Sequence, residues 1–267
     1  METPLTNYQL FTEQLTRMVK VKEGNNEQFD FDVQLDEMIK KSLAAHKITG
    51  AIFSEESGFF EIPGEKRYRV VYDPFCNSSL ASRMFREGAL GLSVFTDDYI
   101  FITAAILDFQ TGLFALVEDE TTHFYQVQTG EEVTMHSKLP TALEEAWVVY
   151  TLEKPDERSQ ITPGNDIFTL PKRVILSSGH MYWLKLAAGL VDAYLDPIGG
   201  EKLYEMFACT VAQKAGCVVT NTEGEVFDPV KYLKIFEQDP SYRFYPVGAR
   251  SAALHAAIMK KLPTTTS

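Results

Sequence analysis

No two of the three cysteines, Cys76, Cys209 and Cys217, form a CxxC pair, and their number is odd. That pattern excludes a disulfide framework and reads as a reducing compartment. The stretch from Met1 to Leu15 has no basic run followed by an apolar core, so no signal peptide is visible in it. No apolar run approaches the length of a membrane span. Bases are scarce: 25 Lys and Arg stand against 37 Asp and Glu, and the formal net charge is -12. They form no cluster that would offset a surface repelling nucleic acid and anionic membrane. These absences describe a soluble cytoplasmic protein with no nucleic-acid and no membrane partner. A phosphorylated ligand would need a metal or a nest of backbone N–H groups to bind here.

What is present is enough for one large globular domain. The chain has 267 residues, 45% of them hydrophobic and 23% charged. There is no repeat, no low-complexity segment and no clean linker, so residues 1–267 read as one body. Its halves are an α+β portion over 1–140 and an α/β portion over 141–262, with a disordered tail at 263–267. Helical spacing covers 5–21. A second helix begins near Asp32, with Leu35, Met38, Ile39 and Leu43 on one face. Residues 48–53 and 68–72 read as strands and 63–66 as a turn. From Ala89 to Val127 the pattern is an antiparallel meander with hairpin signals at "TDD", "QTG" and "ETT". Residues 129–146 read as loop, 147–152 as a strand and 154–166 as loop. From Lys172 strands and helices alternate: "RVILSS", "HMYWLKLAAGL", "VDAYLD", "LYEMFACTVAQKAG", "CVVT", "RFYPVG" and "SAALHAAIMKKL".

Five short stretches carry chemistry. They are "FDVQLD" (31–36), "FSEES" (53–57), "DPFCNSS" (73–79), "LAAGLVDAYLD" (186–196) and "QKAGCVVT" (213–220). Taken alone, Glu55 and Glu56 read as a solvated loop, and Asp73 before Pro74 as a turn residue or a carboxylate delivered to a cleft. Cys76 reads as a small apolar filler. A catalytic thiol would need a base, and His46, His123, His136, His180 and His255 follow no diagnostic pattern. His180 caps a helix or faces a cleft, and the sequence does not choose. A Zn²⁺ site on Glu55, Asp73 and Cys76 is chemically allowed. Tyr182, Trp183 and Leu186 read as core, and Asp192 as structural.

In order and over nearly the whole chain, these stretches resemble the inositol monophosphatase family of metal-dependent sugar and polyol phosphatases. The resemblance implies a layered α-β-α-β-α fold and, as the family often dimerises, a homodimer. It implies hydrolysis of phosphate monoesters with Mg²⁺ as cofactor, which wants hard oxygen ligands. Carried across, Glu55 and Asp73 are metal ligands and Phe75 offers a main-chain oxygen. Asp32 is an acid near the site, and Ser78 is the hydroxyl that positions the nucleophilic water. Asn77, Ser78 and Ser79 surround the phosphate, and Asp196 contacts a substrate hydroxyl. Asn77 stands where the family has glycine, and Asn tolerates the left-handed conformation.

Two ligand positions depart from the family. Cys76 replaces an aspartate, and a protonated sulfur does not serve Mg²⁺. Tyr204 falls where another aspartate belongs, with Glu205 one residue on as a candidate replacement. The sequence thus favours a protein weak or inactive as a phosphatase that binds a phosphorylated or polyol small molecule, or a protein partner. The alternative is an active Mg²⁺-dependent phosphomonoesterase with a reduced site. An interaction protein would follow if Asn77, Tyr204 or Met206 filled the cleft.

Overall fold

The computed structural model describes residues 20–23, 26–65, 67–77, 87–135, 139–151, 166–177 and 179–262. The expected helix over 5–21 falls largely outside these residues, and its last two positions lie instead in strand β1 (Lys20–Glu23). β1 pairs antiparallel with β2 (Asn26–Phe29), where the sequence suggests only a polar break.

Helix α1 (Asp30–Ala45) follows directly. Phe31, Leu35, Ile39 and Leu43 recur at intervals of four and turn toward the sheet below. Met38, expected on that face, is 63% exposed, because it stands about 100° round the helix from Ile39.

The sheet under α1 has the order β10-β9-β8-β7-β6-β5-β3-β4 among the described residues. Its strands are β3 (Thr49–Ser54), β4 (Gly58–Ile62), β5 (Arg67–Cys76), β6 (Ala89–Thr96), β7 (Phe101–Asp108), β8 (Leu113–Glu118), β9 (Thr121–Gln126) and β10 (Glu131–Glu132). β6 to β9 form the expected antiparallel meander. β3 and β5 are parallel, with β4 paired outside them. β4 and β10 have no counterpart in the sequence pattern above. β5 is longer than expected, and every residue from Val70 to Cys76 is buried. It is an inner strand covered on both faces, which is why it reads as a continuous apolar run rather than an alternating one.

The second sheet has the order β12-β11-β13-β15-β14. It comprises β11 (Trp147–Tyr150), β12 (Arg173–Leu176), β13 (Ala193–Leu195), β14 (Val218–Asn221) and β15 (Pro246–Ala249). β11 runs parallel to β12 and β13, while β15 runs antiparallel to β13 and β14. Helix α2 (Asp166–Thr169) precedes β12. Between the sheets lie α3 (His180–Ala187), α4 (Leu203–Met206) and α5 (Cys209–Lys214). The last two occupy the stretch expected as one helix. α6 (Pro229–Gln238) is a further helix beyond those expected, although Asp228 caps it and Pro229 opens it.

Trp183, Tyr194, Phe95, Phe207, Phe236 and Val71 belong to one core joining elements of both sheets. Tyr150, Leu195 and Val247 pack with Leu254 and Ile258 of α7 (Ala252–Met259) on the far face of the second sheet. The layers therefore run helix, sheet, helices, sheet, helix: a mixed α/β fold. Among the described residues no helix is long and apolar enough to cross a membrane.

Candidate functional site

Strand β5 breaks its register with β6 between Asp73 and Cys76. Pro74 has no N–H to give the ladder, and the Asp73 Oδ1 accepts from the Phe75 N–H at 2.8 Å. The bulge re-aims side chains at this point, as bulges do beside sites. Asn77 ends the strand with φ 67°, a left-handed conformation that its residue type tolerates. Ser78 and Ser79 lie outside the described residues.

The structure brings three buried groups together here: Asp73, Cys76 and His180. His180 is fully buried at the start of α3, 104 residues along the chain from Cys76. Two glycines make room for it. A Cβ on Gly91 would stand 2.5 Å from the His180 ring, and one on Gly179 would stand 3.1 Å from the Cys76 Sγ. His180 Nε2 lies 2.9 Å from the Tyr204 carbonyl and, as the carbonyl only accepts, donates to it. Its Nδ1 is 3.3 Å from Asp73 Oδ2. That is a contact of charges without hydrogen-bond alignment, and neither atom has a hydrogen-bond partner.

More acids surround the trio. Burial, then the negative charges of Glu55 and Glu205, push Asp73 well above the usual carboxylate range. Burial also raises the Cys76 thiol. Burial alone would push His180 down, but the adjacent Cys76 sulfur, the bond to the Tyr204 carbonyl and the charge of Glu205 hold it up at about 9. Glu55 follows β3 and meets Lys202 Nζ at 3.3 Å. Glu205 Oε2 accepts from the Lys202 backbone N–H at 3.3 Å and closes the first turn of α4. Behind these, Glu201 is buried, with its carboxylate accepting from Trp183 Nε1 at 3.0 Å and Tyr194 OH at 2.5 Å. Burial, then the charge of Glu205, raises it to about 8.

The other expected residues are placed as follows. Asp32 is buried in the first turn of α1. The Phe75 ring packs edge-on to Phe31 at 4.8 Å and stacks on Phe109 at 5.4 Å. Asp196 is buried after β13 and its Oδ1 accepts from the Gly199 N–H at 3.0 Å. Tyr204 packs edge-on to Phe236 at 5.1 Å. Met206 is fully buried. Beside Tyr204 opens a cavity of about 600 Å³, lined by Phe53, Phe59, Arg67, Arg69, Tyr204 and Phe236 among others.

Glu201 and Lys202 carry no site role in the sequence pattern, and for His180 that pattern leaves cap and cleft open, where the structure sets its ring against Asp73. For His180 no local signal exists, because its partners come from another strand. Around the open oxygen of Asp73 stand a thiol and an imidazole, which a hard cation does not favour.

No protein-family model matches the chain, and no curated protein matches its sequence. Solved structures do match its fold. One is a hypothetical protein, PH1897, from Pyrococcus horikoshii with similarities to inositol-1 monophosphatase. It is 16% identical, with a TM-score of 0.73 over 97% of this chain and 93% of that one. The extragenic suppressor protein suhB from Bartonella henselae is 14% identical, with a TM-score of 0.74 over 97% and 93%. Staphylococcal inositol monophosphatase-1 in a lithium-soaked inhibitory complex is 14% identical, with a TM-score of 0.71 over 97% and 90%. The chain has the inositol-monophosphatase-like fold.

Proposed function

We propose that this inositol-monophosphatase-like chain does not carry out efficient Mg²⁺-dependent phosphomonoester hydrolysis and instead binds a phosphorylated or polyol small molecule. The observation that carries this reading is the buried imidazole of His180, 3.3 Å from Asp73 and beside the Cys76 thiol. The resemblance calls for carboxylates and hard cations in this neighbourhood. Here Asp73 meets His180, and Glu55 meets the Lys202 ammonium at 3.3 Å. Protein cations thus offset part of the negative charge that metal ions would otherwise offset. Tyr204 supplies an aromatic face and a carbonyl in place of a carboxylate.

The cavity beside Tyr204 supports the small-molecule half of the reading. Its volume, about 600 Å³, suits a ligand of sugar-phosphate size. Arg67 and Arg69 on its wall now hold Glu61 at 3.0 Å and Glu237 at 2.6 Å. A phosphate would compete with those carboxylates for the same forks. The active-phosphatase reading draws its support from Glu205, whose charge bears on Asp73 together with that of Glu55.

The test combines three measurements on the purified, metal-stripped chain. Calorimetric titration with Mg²⁺ is expected to show no saturable binding. Hydrolysis of a panel of sugar and polyol phosphates with Mg²⁺ is expected to stay at background, also in Cys76→Asp, because His180 and Tyr204 remain. At least one member of the panel is expected to raise the Tm. Saturable Mg²⁺ binding lost on Glu55→Gln, with turnover, would overturn the first half; no Tm shift would overturn the second.

A further inference from the structure

We propose that Asp73, Cys76 and His180 form a site for a soft or borderline divalent metal ion, of which Zn²⁺ is the type. The proposal rests on the reading that the hard-cation centre is not retained, and it names what the altered residues do instead.

Three independent features meet at this point. The first is the donor set: one carboxylate, one thiol and one imidazole, all buried, with donor atoms within 4.8 Å of one another. Sulfur and nitrogen donors select zinc-like ions over Mg²⁺.

The second is a pair of open valences. Asp73 Oδ2 and His180 Nδ1 are buried and lack hydrogen-bond partners, although 3.3 Å apart. In an ordinary Asp–His pair, each would satisfy the other. A tetrahedral ion with Zn–O and Zn–N bonds of about 2.0 Å holds its oxygen and nitrogen about 3.3 Å apart. The separation is that of two ligands sharing an ion.

The third feature is the support behind the ligands. His180 Nε2 donates to the Tyr204 carbonyl at 2.9 Å, which leaves Nδ1 as the nitrogen facing the site. Ligating histidines are commonly fixed through the far nitrogen in this way. Asp73 Oδ1 is held by the Phe75 N–H at 2.8 Å, so the carboxylate keeps its orientation with Oδ2 open. Gly91 and Gly179 leave the space that seats the ring against Cys76. The fourth position is left to water, and Glu55, half-buried just after β3, is near enough for its charge to bear on Asp73. On binding, the Cys76 thiol and the His180 imidazolium each give a proton to solvent, and the thiolate and the freed Nδ1 lone pair bond to the ion.

The test begins with the wild-type chain, so it does not depend on how a variant folds. Zinc is added to the metal-stripped protein and its uptake is measured by competition with a chromophoric chelator. One ion per chain is expected. X-ray absorption of the loaded protein should then show one sulfur at about 2.3 Å in the first shell. Cobalt should give a thiolate-to-metal charge-transfer band that Cys76→Ser abolishes. His180→Gln should weaken zinc binding about 100-fold or more. No stoichiometric uptake, or a first shell without sulfur, overturns the proposal. So does zinc binding that neither variant alters while circular dichroism shows both folded. The Mg²⁺ assays above remain separate: turnover with Mg²⁺ sinks the earlier reading, whereas a sulfur-free zinc shell without such turnover sinks this one alone.

Discussion

Asp36 and Asp73 are both 1% exposed, and neighbouring residues of one strand attend to them. Tyr72 turns to the α1 side of β5 and donates to Asp36 Oδ1 at 2.6 Å. The next residue, Asp73, stands against His180 at the start of α3. Asp36 also accepts from Ser54 Oγ at 2.5 Å and from Ser57 Oγ, and pairs with Lys40 at 2.8 Å. Burial alone would raise its pKa, but these bonds outweigh burial and lower it. Asp73 has one backbone donor, and its pKa is raised. Two acids equally shielded from solvent, one with more protein packed around it, can therefore differ in role. The donors around a carboxylate decide whether it is a structural pin or remains open to a ligand.

The largest effect that tests this contrast comes from deleting each acid. Asp36→Ala strands the buried Tyr72 and Ser54 hydroxyls, while Lys40 keeps Glu37 and Ser57, and should cost about 2–4 kcal/mol. Asp73→Asn keeps an oxygen for the Phe75 N–H, and burial and the nearby acids already disfavour the charged form of Asp73, so stability should change by about 1 kcal/mol or less. Urea unfolding at pH 7 with a chelator present measures both. Equal losses would break the comparison.

The next effect is in pH, and the two kinds of acid have opposite signs. Asp36 has a lowered folded pKa, so its contribution is present above its unfolded value of 3.8 and is lost as pH falls through the folded one. Glu201 is the reverse case, raised from 4.5 to about 8. Its contribution is complete below 4.5 and declines as pH rises toward 8, by about 3–5 kcal/mol at most. Glu201→Gln keeps an oxygen for the Trp183 Nε1 donor and cannot ionise. The variant should lose most of the decline in unfolding free energy between pH 5 and pH 8. A slope equal to the wild type would remove Glu201 from the account.

Periodicity makes the scaffold legible and leaves the site half read. The meander from β6 to β9 and the alternation after Lys172 follow from local pattern, because each strand or helix declares its own face. The α6 helix goes unread, although Asp228-Pro229 is a cap followed by a first-turn proline, and Tyr232, Leu233 and Phe236 fall on the buried face. Asp73 and Cys76 lie in one motif, so their neighbourhood is visible. His180 is not, because a buried imidazole facing a strand some hundred residues away leaves no mark on its own surroundings. The Lys202–Glu55 pair, 147 residues apart, escapes for the same reason.

Gly91 offers a smaller and more pointed test of the Asp73 side. Its added Cβ would meet the buried His180 ring at 2.5 Å, so the ring or strand β6 must shift. Gly91→Ala should cost about 1–3 kcal/mol as an overpacked core does. The same variant should lower zinc affinity, because the ring can be relieved only by moving Nδ1 from Asp73. Unchanged stability would mean that His180 sits more loosely than a metal ligand should.

The smallest effect belongs to Ser54, which works on the other side. Its hydroxyl donates to Asp36 and accepts from the N–H groups of Glu56 and Ser57 at 3.2 and 3.3 Å, shaping the turn that carries Glu55. Ser54→Ala leaves Asp36 with Tyr72, Ser57 and Lys40, so about 1 kcal/mol should be lost. If the two acids are independent, zinc affinity should stay at the wild-type value, since Asp73, Cys76 and His180 do not touch this hydroxyl. A fall in zinc affinity would show that Glu55 is held in place through its turn. The pin at Asp36 would then serve the site across β3 as well as stabilise the helix above it.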